Sequence, residues 1–109
     1  MKSIFSILVF TLISSITSCV TKIPIPESKL DYIGTWYKSD GSWLSISANG
    51  RGDFDMPNSN VSGGAVTLTD EKITIEILGI KSNWTIVEEP YQEDGFWLMN
   101  LTGNIYEKY

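Results

Sequence analysis

Few residues of this chain could carry out chemistry near neutral pH. Its 109 residues include no histidine and a single cysteine, Cys19. Histidine is the commonest general base and metal ligand in this pH range, and neither Ser-His-Asp nor Cys-His catalysis can be assembled without it. Zinc sites of the usual Cys/His type are excluded on the same ground. We therefore predict a protein that is not an enzyme and that holds no cofactor and no metal.

Carboxylates are the remaining candidates for acid–base catalysis or metal binding. Asp53 and Asp55 lie two positions apart in a predicted strand, so both side chains point to the same face. Such a pair could act as acid and base or bind calcium weakly. A carboxylate enzyme needs two carboxyl groups that converge in a cleft, and nothing in the sequence places them in one. We favour a solvated strand face.

A second group of carboxylates surrounds Pro90 and Tyr91. Its members are Glu88, Glu89, Glu93 and Asp94. The proline and the following Gly95 predict a loop over residues 89–94, and loops on a rigid scaffold are the usual place for binding. An aromatic residue within an acidic ring is typical of a contact surface, so we predict that a cationic partner or a cation docks here. The alternative is a solubilising loop of an acidic protein.

The bulk composition narrows the class of partner and the number of domains. The net charge is -5, whereas a nucleic-acid surface needs a basic face, so we predict no nucleic-acid partner. Hydrophobic residues make up 42% of the chain, which is enough to build a core. A chain of 109 residues has room for one small domain at most.

The N-terminal segment is typical of a secretory signal peptide. Lys2 supplies a positive charge, and an apolar run over residues 4–16 follows. That run is shorter than the roughly 20 residues that a membrane-spanning helix needs. We therefore predict that residues 1–18 are a signal peptide and exclude them from the fold.

Ile16-Thr17-Ser18-Cys19 resembles the lipobox of bacterial lipoproteins. The resemblance implies that the Cys19 thiol receives a diacylglycerol, that the signal is cut before this residue, and that the new amine is acylated. Several acyl chains at one residue anchor a protein stably. Val20, where some lipoproteins have Asp, is similar to the outer-membrane sorting pattern, which implies an envelope protein at the outer membrane. The alternative is a plain signal peptide whose removal leaves a free thiol.

The segment after the cysteine and the rest of the chain have different patterns. Residues 19–31 contain two prolines and little periodicity, so we predict a lipidated cysteine followed by a flexible tether. Period-two alternation between turn signals predicts an all-β domain over residues 32–109. We expect about seven or eight short strands in a small antiparallel up-and-down meander barrel, with a β-sandwich as the alternative.

The two ends of this domain resemble lipocalin-like barrels. Ile33-Gly34-Thr35-Trp36-Tyr37 is similar to the Gly-x-Trp start of that family, and the segment from Trp97 to Lys108 is similar to the last hairpin of its small bacterial members. The resemblance implies that Trp36 lies across the closed end of the barrel and that the interior carries an apolar ligand. A full lipocalin is nearly twice as long, and short strands leave little room inside an eight-stranded barrel.

The tryptophans are the remaining candidate binding residues. A ligand cavity would be lined by Trp36, Ile75, Trp84 and Trp97. Trp43 alternates with serines, so we expect it to face away from the core, where an exposed aromatic residue marks a binding surface. Ordinary packing in the core or under a loop is the alternative for each of them.

The patterns favour a non-enzymatic, membrane-anchored bacterial envelope lipoprotein that binds an unknown partner. One alternative is a lipocalin-like carrier of a small apolar ligand, which requires a cavity inside the barrel. The other is an acidic immunity or exclusion lipoprotein that binds a basic toxin or phage protein through residues 88–94, where surface charge would raise the association rate.

Overall fold

The computed structural model describes residues 21–109, and the predicted signal peptide and Cys19 lie outside the described residues. A short 3₁₀ helix, Glu27–Tyr32, precedes eight antiparallel strands that close into a barrel. The strands are β1 Gly34–Tyr37, β2 Trp43–Ile46, β3 Arg51–Met56, β4 Ser59–Leu68, β5 Lys72–Ile77, β6 Ile80–Glu93, β7 Phe96–Leu101 and β8 Asn104–Lys108. The predicted up-and-down barrel is confirmed, and the β-sandwich alternative is wrong. Among residues 21–109, no helix has the length and apolar character to cross a membrane.

Tight turns explain the up-and-down order of the strands. Leu78-Gly79, Asp94-Gly95 and Thr102-Gly103 each have positive φ at both residues, as type I′ turns require. The backbone twist of such turns matches that of the flanking strands, so each strand pairs with the next. The barrel then closes where β1 pairs with β8, with Trp36 opposite Lys108. Closure gives both outer strands of the sheet a partner and protects them from pairing with other chains.

One continuous strand replaces two predicted ones in the middle of the chain. The sequence predicts separate strands on either side of Gly63-Gly64, whereas β4 runs through both glycines. The register between β3 and β4 shifts between Gly52 and Phe54. The break expected at the two glycines is therefore a β-bulge within a continuous pairing.

The predicted loop over residues 89–94 is wrong. β6 continues as far as Glu93 and stays paired with β7, and the chain turns at Asp94-Gly95. The register shifts twice, between Ile86 and Glu88 and again before Tyr91. The second shift contains Pro90, which has no N–H to donate to a neighbouring strand, so the bulge accommodates it.

Residues 25–31 differ from the predicted flexible tether because they pack against the barrel. Ile25 is buried, and its N–H donates a hydrogen bond to the Ala48 carbonyl oxygen at 3.0 Å. The 3₁₀ helix follows and buries Tyr32. Apolar side chains in this segment gain more by covering one end of the barrel than by staying in water. The folded domain therefore begins near Ile25.

Inward-facing side chains fill the barrel. The largest fully buried ones are Trp36, Leu44, Ile46, Ile73, Ile75, Met99 and Leu101. Trp36, Leu44 and Met99 have no exposed surface, so no water-sized space lies beside them. Phe54 and Trp84 meet edge to face, with ring centroids 5.1 Å apart. This geometry is the favoured one for aromatic pairs and adds to the stability of the core.

Candidate functional site

Five aromatic side chains lie on the outside of neighbouring strands of the barrel. They are Tyr91 on β6, Phe96 on β7, Tyr109 directly after β8, Tyr37 on β1 and Trp43 on β2. We call this set the aromatic face. Strand alternation places its members there, since Trp36 and Leu44, the chain neighbours of Tyr37 and Trp43, point into the core.

Strand pairing and ring contacts link four members of the aromatic face, namely Tyr37, Trp43, Phe96 and Tyr109. Tyr37 lies directly opposite Trp43 in the pairing of β1 with β2. The ring centroid of Tyr109 is 6.1 Å from that of Tyr37 and 6.1 Å from that of Phe96. These rings remain open to solvent, with 43% of Tyr37, 45% of Phe96 and 82% of Tyr109 exposed. A contiguous patch of exposed apolar surface is typical of an interaction site.

Carboxylates stand among these rings. Glu93 lies opposite Phe96, Glu107 lies opposite Tyr37, and Asp55 lies opposite Trp43. Side chains at opposed positions of an antiparallel pair are close neighbours on one face of the sheet. The aromatic face therefore carries negative charge distributed along its whole width.

Tyr91 stands at the acidic end of the aromatic face. Its pKa is raised above the ordinary value by desolvation and, after that, by the charges of Glu88 and Glu93. Both carboxylates disfavour a second negative charge on the phenol between them. Tyr91 therefore stays protonated and can donate a hydrogen bond across the physiological pH range.

A depression of about 410 Å³ adjoins Trp43 on the outer surface of β1 to β4. Its lining residues are Thr35, Tyr37, Trp43, Ser45, Arg51, Asp53, Val61 and Ser62. Arg51 donates to the Asp53 carboxylate from Nη2 at 3.1 Å and from Nε at 3.2 Å, and the Gly63 N–H donates to it at 2.7 Å. Burial opposes ionisation of Asp53, but these hydrogen bonds outweigh it and lower the pKa. Asp53 is thus engaged in holding the β-bulge beside Asp55.

A second depression, of about 430 Å³, lies on the other side of Tyr37. Its lining residues are Tyr37, Lys38, Ser39, Gly103, Asn104, Ile105, Glu107 and Tyr109. Tyr37 lines both depressions and forms the ridge between them. A ridge of aromatic side chains with a depression on each side gives a partner both a stacking surface and places to insert side chains.

Lys108 closes one end of the barrel between two tryptophans. Its Nζ lies 4.7 Å from the ring centroid of Trp36 and 5.1 Å from that of Trp97. The same ammonium donates to the carbonyl oxygens of Asp31 and Ile33 at 2.7 and 2.8 Å, which joins β8 to the end of the 3₁₀ helix. Burial lowers the pKa of Lys108, against the opposing effect of the Asp31 charge. This end of the molecule is a structural cap.

The structure separates the four predicted binding tryptophans. Trp36 and Trp84 belong to the core, Trp97 is half-buried at the closed end, and Trp43 belongs to the aromatic face. Trp36 and Ile75 are 0% and 1% exposed. Side chains therefore occupy the space that the predicted ligand cavity would need beside these two residues.

The structure also separates the predicted acidic contact residues. Glu88, Tyr91 and Glu93 are on the outer surface of β6, Glu89 lies at the bulge, and Asp94 is in the turn. Burial, and then the charges of Glu89 and Asp70, raise the pKa of Tyr32 to about 12. The Glu89 charge thus acts on Tyr32 of the 3₁₀ helix, whereas Glu93 lies opposite Phe96.

Three members of the aromatic face, Tyr37, Phe96 and Tyr109, were not among the predicted binding residues. Tyr37 follows the inward-facing Trp36, so alternation alone was sufficient to place it on the outer surface. Phe96 and Tyr109 become its neighbours through the pairing of the first strand with the last and of the last two strands with each other. Sequence patterns do not give such register, and these contacts had no sequence signal.

The arrangement of these groups is suited to several kinds of contact with a partner. The aromatic face offers stacking, apolar contact and negative charge. In the part of the chain from Thr21 to Tyr109, no group of three His, Cys, Asp or Glu side chains is placed to hold a metal ion. Comparisons of this chain with protein-family models, with curated proteins and with solved structures find no match.

Proposed function

We propose that this protein is a lipid-anchored bacterial envelope module that binds a partner without catalysis, through the outside of its barrel. One observation carries the proposal: exposed aromatic rings line up across neighbouring strands while the interior is filled. Burying such rings against a partner releases ordered water and gains free energy in proportion to the apolar area.

The packing of the interior favours an outer binding surface over a carrier function. A carrier of an apolar ligand needs a cavity, and pockets for small molecules usually measure hundreds of Å³. Trp36 and Ile75, which would line that cavity, are buried against other side chains. Both depressions on the outer surface are instead lined by Tyr37, at the centre of the aromatic face.

The envelope location rests on the sequence of the N-terminal segment. Cys19 directly follows an apolar run in a lipobox-like pattern, and Val20 favours sorting to the outer membrane. Several acyl chains on Cys19 would hold the barrel at the membrane surface. The domain would then meet its partner in the periplasm or outside the cell.

Intact mass of the protein extracted from membranes tests the anchor. We expect a mature chain that begins at Cys19 and carries acyl chains, and we expect Cys19→Ser to lack the added mass. An unmodified, soluble wild-type protein would contradict the lipoprotein assignment and leave a free thiol at Cys19.

Oxidative footprinting tests the binding surface. Oxidation of Tyr37, Trp43 and Tyr109 would be compared between intact envelopes and the purified protein in detergent. We expect protection of these residues in the envelope, while Leu78, which is 80% exposed in a distant turn, is oxidised equally in both. Equal oxidation of the three aromatic residues in both preparations would contradict binding through the aromatic face.

A further inference from the structure

We propose that the aromatic face binds a cationic segment, rich in lysine or arginine, of another protein. This inference rests on the proposed function and specifies the partner of the same face. It is carried by the placement of Glu93, Glu107 and Asp55 among exposed aromatic rings.

Two basic groups that line the depressions beside this face are already paired. Arg51 lies 3.1 Å from Asp53, and Lys38 lies 3.4 Å from Asp40. Glu93, Glu107 and Asp55 form no salt bridge within residues 21–109. The face therefore presents uncompensated negative charge to an approaching partner.

The opposite side of the barrel has a different character. Its outward side chains on β5 and the start of β6 are Lys72, Thr74, Glu76, Lys81, Asn83 and Thr85. Glu76 lies opposite Lys81, and the Thr74 hydroxyl donates to Asn83 Oδ1 at 2.7 Å. The Thr74 and Asn83 side chains thus satisfy each other, and on this side the acidic Glu76 stands among the basic Lys72 and Lys81. The aromatic face is thus distinguished by combining exposed rings with carboxylates, whereas the opposite side mixes acidic and basic groups.

The spacing of rings and carboxylates suits lysine and arginine side chains. Such side chains lay their apolar stems along apolar surface and keep the charged head free. A stem that covers Tyr37 can bring its head to Glu107, and one that covers Phe96 can bring its head to Glu93. The cationic head also gains from lying within about 6 Å of a ring centroid. An uncharged partner would leave the carboxylates desolvated without compensation.

Fluorescence anisotropy with two labelled peptides of equal length tests the charge of the partner. One peptide alternates lysine with glycine, and the other alternates glutamate with glycine. The full mature protein in neutral detergent would be titrated between about 0.01 and 0.15 M ionic strength, over which the Debye length falls from ~30 to ~8 Å. We expect the lysine peptide to bind more weakly as salt rises and the glutamate peptide not to bind.

Matched variants separate the aromatic face from overall charge. Glu93→Gln combined with Glu107→Gln removes two charges from the face, and Glu71→Gln combined with Glu76→Gln removes the same number elsewhere. We expect the first pair to weaken lysine-peptide binding by about fivefold or more, since exposed ion pairs are individually modest, and the second by less than about twofold. Equal effects of the two pairs would overturn the inference.

A third pair of substitutions distinguishes this inference from the proposed function. Tyr37→Thr and Trp43→Thr remove rings from the outer surface while keeping residues suited to a strand. If these substitutions abolish the envelope protection of Tyr109 and the charge variants leave it unchanged, the face binds a partner that is not cationic. In that case the proposed function stands and this inference fails. If neither set of variants changes the protection, the proposed function fails as well.

Discussion

The Lys108 ammonium lies 4.7 Å from the ring centroid of Trp36, at the end of an interior that is otherwise apolar. The two residues come from paired positions on the last and first strands of the barrel. A charge in this position is held by the indole ring and by the backbone oxygens of Asp31 and Ile33. The contact therefore joins the first and last strands of the barrel to the core.

Lys108→Met should destabilise the fold. It removes the donor to two carbonyl oxygens and the cation over the Trp36 ring, for which we expect a loss of about 2 kcal/mol in the free energy of unfolding. Urea unfolding followed by tryptophan fluorescence measures it. Lys81→Met, at an exposed position of β6, is the matched control and should change stability by less than about 0.5 kcal/mol. Similar losses in both variants would contradict the role of Lys108.

Tyr32→Phe should stabilise the protein at neutral pH. The Tyr32 hydroxyl is buried and has no hydrogen-bond partner within residues 21–109. Its removal leaves the ring packing in place and relieves a desolvation cost of about 1 kcal/mol. Thermal or urea unfolding would measure the gain. Tyr91→Phe, on the outer surface of β6, serves as the control, and a loss of stability in Tyr32→Phe would reveal a partner for the hydroxyl.

Alkaline pH should destabilise the wild type through the same hydroxyl. Burial raises the pKa of Tyr32 to about 12 in the folded state, from 10.0. Between these values the unfolded chain has lost the proton and the folded chain retains it, so stability should fall as pH rises from 10 to 12. Urea midpoints across this range would show a steeper fall in the wild type than in Tyr32→Phe. Parallel curves would contradict the raised pKa.

Gly52→Ala should destabilise the barrel from within. Gly52 is buried on β3, and a Cβ added there would lie 2.5 Å from Val66 Cγ2 and 3.0 Å from Ile75 Cδ1. Overpacking of this kind typically costs about 1–3 kcal/mol. Ser59→Ala, at the exposed start of β4, provides a control that adds no atom to the core. Unchanged urea midpoints in Gly52→Ala would show that the core rearranges freely.

Leu78→Asn should stabilise the turn between β5 and β6. Leu78 has a φ of 52° and is 80% exposed, so its side chain gains little from packing and its backbone lies in the left-handed region. Asparagine tolerates this conformation better, and we expect a gain of about 1 kcal/mol. Leu78→Ala is the control, since alanine removes the exposed side chain without relieving the backbone. An equal gain in stability in both variants would show that the effect comes from removing the exposed leucine side chain.

Local patterns were sufficient to predict the class of fold but not the site. Alternation such as Ile73 and Ile75 against Thr74 marks strands wherever one face is buried, and X-Gly pairs mark the turns. The alternation breaks down near Pro90, because bulges shift which side chains face inward. This part of β6 was therefore predicted to be a loop. The aromatic face depends on the register of strands far apart in the chain, as in the contact of Tyr37 with Tyr109. That register is set only when the barrel closes.

With the proposed lipid anchor on Cys19, the packed N-terminal segment would limit how far the barrel can stand from a bilayer. The Ile25 N–H is hydrogen-bonded to the Ala48 carbonyl oxygen. The segment between an acylated Cys19 and Ile25 could therefore span at most ~20 Å. So short a segment would hold the capped end close to the lipid, with the strands pointing away from the membrane. The aromatic side would then face sideways, along the membrane surface. A partner would have to arrive laterally, within the thin layer of solvent next to the headgroups, where an anchored protein searches two dimensions instead of three.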